Sequence, residues 1–179
     1  MKKVFLAMAA AAMMFVGCSK DDDNKTTDDT FTVAKVNCVY KLQVETPDAA
    51  ALRKAYDLFV DYYDNDGNIQ QTEEFVSDDF TWQVNTVQTS FPSWCGFRFR
   101  FSPKADLSQV NESDEFSFVA SYSVDGVATA TNGTTKLFGV EGELDKRGVT
   151  PYVNASYGKS LRVRVKTDGT VESDENWAE

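Results

Sequence analysis

Apolar and polar positions alternate with period two through five stretches of this chain. Val36, Cys38, Tyr40, Leu42 and Val44 alternate with Asn37, Lys41, Gln43 and Glu45, with Val39 the one exception. Phe80, Trp82 and Val84 alternate with Thr81, Gln83 and Asn85; Cys95, Phe97, Phe99 and Phe101 with Gly96, Arg98 and Arg100. Phe116, Phe118, Ala120, Tyr122 and Val124 alternate with Ser117, Ser121 and Ser123, and Leu161, Val163 and Val165 with Arg162, Arg164 and Lys166. Successive side chains of a strand point to opposite faces, so each run predicts a strand buried on one side. The β-branched and aromatic residues that fill these runs suit a pleated, half-buried surface. Asp66-Gly67, Asp125-Gly126 and Asp168-Gly169 punctuate the pattern. Asp-Gly favours two-residue hairpins, because both positions must tolerate positive φ. Residues 58–63 are therefore expected to pair with 69–76 around the first, and 116–124 with 127–131 around the second. The third is expected to end the strand that closes at Val165.

Two segments break the period. Residues 47–56 are rich in helix formers, with Thr46 placed to cap and Pro47 suited to a first helical position, so one short helix is expected there. Residues 139–158 hold glycines and Pro151 without a clear period, which predicts a long loop or broken strands. Frequent turns and the lack of a long amphipathic helix predict an all-β fold. The expected form is an antiparallel β-sandwich, immunoglobulin-like, with a β-barrel as the alternative. One domain over residues 31–179, with an acidic C-terminal end, fits the length. The spacing is similar to that of β-sandwich modules in Bacteroidetes surface lipoproteins, a likeness of pattern only.

The start of the chain follows another logic. Met1-Lys2-Lys3 precedes an apolar run from Val4 to Val16, then Gly17-Cys18. A cationic start, a short apolar stretch and a small residue before the cut describe a secretory signal peptide over residues 1–17. The run is shorter than the ~20 residues a membrane span needs. Phe15-Val16-Gly17-Cys18 resembles the bacterial lipobox, with Phe15 where leucine is usual. Ser19-Lys20-Asp21-Asp22-Asp23 resembles the acidic export tag of Bacteroidetes surface lipoproteins. The resemblance implies a Cys18 carrying diacylglycerol and an acylated amine (palmitate-type chains), and anchoring at the outer membrane, on the cell surface. Several acyl chains hold far better than one, at ~0.8 kcal/mol per buried methylene. Residues 19–30 have no apolar side chain to bury and read as a disordered tether.

Charge narrows the partners. The chain of 179 residues carries 18 basic and 28 acidic side chains, net −10, and loss of Lys2 and Lys3 with the leader makes it more acidic. Phosphate binding needs a basic field, so nucleic acid is not expected as a partner. Histidine is absent, which removes Ser-His-Asp and Cys-His catalysis and histidine metal ligation. No pair among the many carboxylates sits in a recognisable catalytic setting. No cofactor or metal is expected, and the chain reads as a non-enzyme.

The candidate chemistry that remains is modest. Cys38 and Cys95 both fall on the apolar side of their strands and are either an inter-sheet disulfide or two buried thiols. Asp64-Asn65-Asp66-Gly67-Asn68 has calcium-loop character, with Asp64, Asp66 and Glu73 at ligand positions. Tyr62 stands where the first aspartate belongs, and a plain hairpin accounts for the segment without metal. Arg98, Arg100, Arg162, Arg164 and Lys166 would form a positive stripe if their strands are neighbours. Such a stripe would suit an acidic glycan or a partner protein; pairing with Glu45, Glu73, Glu74 or Glu115 is the simpler account. Trp94, Tyr63, Tyr152, Tyr157 and Trp177 fall outside the core phase. Trp94, expected in a loop after Pro92-Ser93, is a candidate sugar platform with Tyr152 and Tyr157. The expected role is a binding or adhesion module for a glycan or protein. The alternatives are an accessory or structural lipoprotein of an envelope complex and, behind both, a small hydrolase.

Overall fold

The computed structural model describes residues 30–153 and 155–174. The leader, the Cys18 lipobox, the export tag, the tether to residue 29 and Trp177 lie outside the described residues.

Two antiparallel sheets pack face to face. Their strands are β1 (Val33–Glu45), β2 (Tyr56–Tyr63), β3 (Ile69–Glu74), β4 (Phe80–Gln88), β5 (Ser93–Pro103), β6 (Phe116–Ala130), β7 (Thr135–Val149), β8 (Tyr157–Val165) and β9 (Val171–Asp174). The first sheet has the order β4-β1-β6-β7 and the second β3-β2-β5-β8-β9. Among the described residues each sheet keeps two open edges, so the architecture is a sandwich and not the barrel alternative. The expected alternation becomes burial: Val36, Cys38, Tyr40, Leu42 and Val44 of β1 point inward, as do Cys95, Phe97, Phe99 and Phe101 of β5. Aromatic rings fill the gap, with Phe101 and Phe118 centroids 4.3 Å apart, Trp82 and Phe97 5.1 Å, and Phe99 and Tyr122 5.4 Å. Burying large rings contributes most of the free energy that holds two sheets together.

The helix α1 (Ala49–Ala55) joins β1 to β2, one residue shorter at its C-terminal end and two at its N-terminal end than expected. Its cap is not Thr46 but Asp48, whose Oδ1 accepts the Ala51 N–H at 2.9 Å. Thr46 is drawn away because its hydroxyl donates to the Ser117 carbonyl at 2.9 Å. Pro47 accordingly precedes the cap and does not open the helix. Arg53 and Lys54 in the last turn complement the helix dipole.

The Asp66-Gly67 hairpin forms, Gly67 at φ 76°, with Leu58 opposite Glu74 and Tyr63 opposite Ile69, but its loop is residues 64–68 and not a two-residue turn, and its second strand stops at Glu74, short of the expected 76. The Asp168-Gly169 turn does more than end a strand: it returns the chain into β9, Val165 opposite Val171. The Asp125-Gly126 turn does not exist. β6 runs straight through it, Gly126 pairing with Cys38 on one side and Phe138 on the other. A Cβ on Gly126 would lie 2.0 Å from the Phe138 ring, so this glycine makes room for an aromatic and bends nothing. The reversal comes instead at residues 131–134, where Ala130 N–H bonds the Thr134 carbonyl at 2.8 Å. Much of the expected loop 139–158 is likewise strand β7, whose Gly142 leaves space for the Tyr122 hydroxyl and ring.

Candidate binding face

The outer surface of the second sheet is built by β5 and β8, which lie side by side. Each turns its apolar positions into the core and thereby its polar positions to solvent. Trp94 stands opposite Arg164, Gly96 opposite Arg162, Arg98 opposite Ser160 and Arg100 opposite Gly158. The adjacency that the positive stripe required is present. Acids from the flanking strands β2 and β9 answer it on both sides.

Arg98 Nε meets Asp61 Oδ2 at 2.5 Å, and Asp61 also accepts from Gln71 Nε2 at 2.6 Å. Asp61 is only 4% exposed, so this pair is shielded and firm. Arg162 donates to Asp174 Oδ2 through Nη2 at 2.5 Å and Nε at 3.2 Å, and to the Tyr63 hydroxyl at 3.4 Å. Burial works against its charge, but Tyr63 and Asp174 prevail and raise the Arg162 pKa further. Lys166 pairs with Glu172. The pairing acids are thus Asp61, Asp174 and Glu172, not the expected Glu45, Glu73, Glu74 or Glu115. Gly96 takes φ 134°, which a residue with a side chain would adopt only under strain, and a Cβ there would lie 2.2 Å from the Leu161 carbonyl oxygen.

Trp94 lies within β5 and not in a loop. The Arg162 guanidinium sits 4.3 Å from its ring centroid and that of Arg164 5.7 Å, a doubly cation-stacked indole. Tyr152, in the short 3-10 turn at Pro151–Val153, donates its hydroxyl to the Val110 carbonyl at 2.5 Å. Tyr157 packs edge-on against Tyr56 and Phe118, with Lys146 Nζ 5.4 Å from its ring centroid. Trp94 sits opposite Arg164, seven residues along β8 from Tyr157, a span of about 23 Å at strand rise. The three candidate aromatics therefore form no common platform, and Tyr63 is buried.

The part of the stripe left open is at its other end. A groove of about 230 Å³ runs between Arg98 and Arg100 of β5 and Ser156, Gly158, Lys159 and Ser160 near the start of β8. Gly158 lets β5 and β8 approach closely here, since a Cβ there would come within 2.1 Å of the Phe99 carbonyl oxygen. Arg100 Nε donates to Ser102 Oγ at 3.1 Å, and its guanidinium lies 5.6 Å from the Phe59 centroid. Among the described residues neither Arg100 nor Lys159 pairs with a carboxylate, and no acid lines the groove. Lys159, Gly158, Ser160 and Asp61 did not emerge from the sequence as site residues. Asp61 carried a signal, a lone charge inside the apolar run 58–63. A larger cavity of about 370 Å³ beside α1 is lined by Asp48, Lys54, Asp114 and Glu115, a mixed set of charges.

The calcium-loop residues serve the turn. Asp64 Oδ1 accepts the N–H groups of Asp66 and Asn68, both at 2.9 Å, and Oδ2 accepts from Gln70 at 2.7 Å. Slight burial raises its pKa, but these donors outweigh it and hold the carboxyl below the usual range. Cys38 and Cys95 are not bonded to one another in this structure; both are buried, one on each sheet.

Fold and face together define an antiparallel β-sandwich with an arginine-rich outer sheet. No protein-family model, curated protein or solved structure matches the chain.

Proposed function

We propose that the protein is a lipid-anchored outer-membrane surface module that binds an acidic glycan without catalysing a reaction. The observation that carries this reading is the groove with Arg98, Arg100 and Lys159 on its walls and no acid among its lining residues. A carboxylated or sulfated sugar would receive charge-assisted hydrogen bonds from Arg100 and Lys159, and ordinary ones from the serine hydroxyls. Arg98, already neutralised by Asp61, shapes the wall. The acids of the face support binding over chemistry: Asp61, Asp174 and Glu172 are each committed to a neighbouring cation. Cys18 and the acidic tag after it support the tether that would hold this face outside the cell.

Immobilised polygalacturonate, chondroitin sulfate and a neutral glucan test the reading. The full chain is expected to bind the acidic polymers only, with affinity falling as salt rises. Arg100→Ala with Lys159→Ala should reduce binding at least tenfold. Equal retention on the neutral glucan, or an unaffected double variant, would overturn it. Retention only by an acidic peptide would assign the groove to a protein partner instead. Loss of radiolabelled palmitate incorporation in Cys18→Ser tests the anchor separately.

A further inference from the structure

Cys38 and Cys95 come from strands 57 positions apart in sequence and meet in the middle of the sandwich. They are 1% and 0% exposed. Each projects inward from a different sheet, and one inward position further along the same two strands the Tyr40 and Phe97 rings pack with centroids 6.1 Å apart. The neighbouring Cys95 thiol, together with burial, pushes the Cys38 thiol well above the usual thiol range. The surroundings hold both residues in place: Thr86, opposite Cys38 on β4, donates its hydroxyl to Tyr40 at 2.9 Å, and Tyr40 borders both sulfurs. Two buried thiols that face one another across a sheet interface have one reaction close at hand, which is with each other.

We propose that Cys38 and Cys95 are the two halves of a disulfide that staples the sheets, made as the chain folds. The oxidant is a second disulfide, that of a dithiol oxidoreductase or of glutathione. One cysteine thiolate attacks it, forming a mixed disulfide and expelling one thiolate. The other cysteine, as thiolate, attacks the protein-side sulfur, forming the Cys38–Cys95 bond and expelling the second thiolate. Two electrons pass to the oxidant, and the two protons of the cysteines end on its two thiols. Timing follows from burial. In the unfolded chain both thiols are exposed with ordinary acidity, whereas the closed sandwich excludes the oxidant and keeps Cys38 protonated. The bond is therefore made before the sheets close, and once closed they shield it from reductant. The loop it would tie off contains α1, the β2–β3 hairpin and β4. Removing the freedom of so long a loop from the unfolded state shifts the folding equilibrium by on the order of a thousandfold.

The test uses full-length Cys18→Ser protein, which keeps only these two thiols. It is unfolded in urea and refolded in a buffer of reduced and oxidised glutathione. The expected product is lighter by two hydrogens, takes up no iodoacetamide when denatured, and gives one peptide pair joined through Cys38 and Cys95. Reductant should lower its urea midpoint. Cys38→Val and Cys95→Val, each alkylated at the remaining cysteine, should show no such response to reductant. Alkylation of both cysteines in protein that has regained its β-sheet circular dichroism would overturn the proposal. So would a linked form less stable than the reduced one.

Discussion

Asp61 shows how one residue can organise a face. It is a carboxylate in the middle of an apolar strand, nearly shut off from solvent, and it bonds both Arg98 and Gln71. Removing one partner of a shielded ion pair leaves the other charge poorly solvated, which costs more than the pair itself contributes. Arg98 keeps a quarter of its side-chain exposure, so water relieves part of that cost. Asp61→Ala is expected to destabilise by about 2 kcal/mol, below the range for fully buried pairs. Asp61→Asn, which still accepts a hydrogen bond, should be milder. Urea unfolding of both variants checks the order, and a harmless Asp61→Ala would show that Arg98 needs no anchor. At this scale the sequence was partly legible: the outward phase of Arg98, Arg100, Arg162 and Arg164 was visible, but not which acids would answer them. Asp174 and Glu172 reach the stripe only because the Asp168-Gly169 turn folds β9 back beside β8, a long-range consequence that no local pattern carries.

Among the elements, β6 and β7 show where local chemistry misleads. Asp-Gly is a turn signal because glycine accepts positive φ, yet glycine also has no side chain, and at Gly126 that second property decides. β6 already has partners on both sides, and Phe138 fills the space a side chain would need. Gly126→Ala is therefore expected to cost about 1–3 kcal/mol through overpacking. Adding Phe138→Leu should recover part of the loss, whereas a backbone cause would leave the double variant no better. β7 was hidden for a related reason: its inward positions 138, 140, 142 and 144 alternate, but glycine at 142 interrupts the apolar signal, while Tyr122 supplies the missing bulk. The five strong runs were legible because each buries one whole face against the other sheet. The helix was legible in existence and not in its start, since Thr46 and Asp48 both look like caps and only the fold gives Thr46 another partner at Ser117. Asp48→Ala should accordingly cost about 1 kcal/mol of stability. Thr46→Ala would loosen the β1–β6 end without fraying α1, a difference visible in amide exchange of residues 49–52.

For the whole molecule, the titrating groups set the pH range over which the sandwich holds. Asp64, Asp106 and Asp168 bond nearby N–H groups and lie below the usual carboxylate value. Their folded pKa values are depressed, so the stability they contribute is present above about pH 4 and is lost as pH falls through the folded values. At the other limit, burial and then Tyr157 push Tyr56 up to about 12, and burial raises Tyr40 as well. Groups raised on folding act in the opposite sense: their contribution is complete below the unfolded tyrosine value near pH 10 and is lost above it, for Tyr56 up to about 12. With no histidine in the chain, no side chain other than cysteine has an ordinary pKa between these limits. The urea midpoint is expected to be flat from about pH 5 to 8, falling on either side. The alkaline limb then separates the two redox forms. As thiols, both cysteines ionise in the unfolded chain near pH 8.5, whereas in the fold Cys95 is lowered and Cys38 is raised; Cys95 therefore adds stability as pH approaches that value, and Cys38, which stays protonated, takes stability away above it, about 1.5 pH units before the tyrosines act. A disulfide does not titrate, and the stapled protein should hold its midpoint until about pH 10. Urea titrations across this interval, with and without reductant, should diverge from about pH 8.5 upward if the pair is closed, and run parallel if it is not.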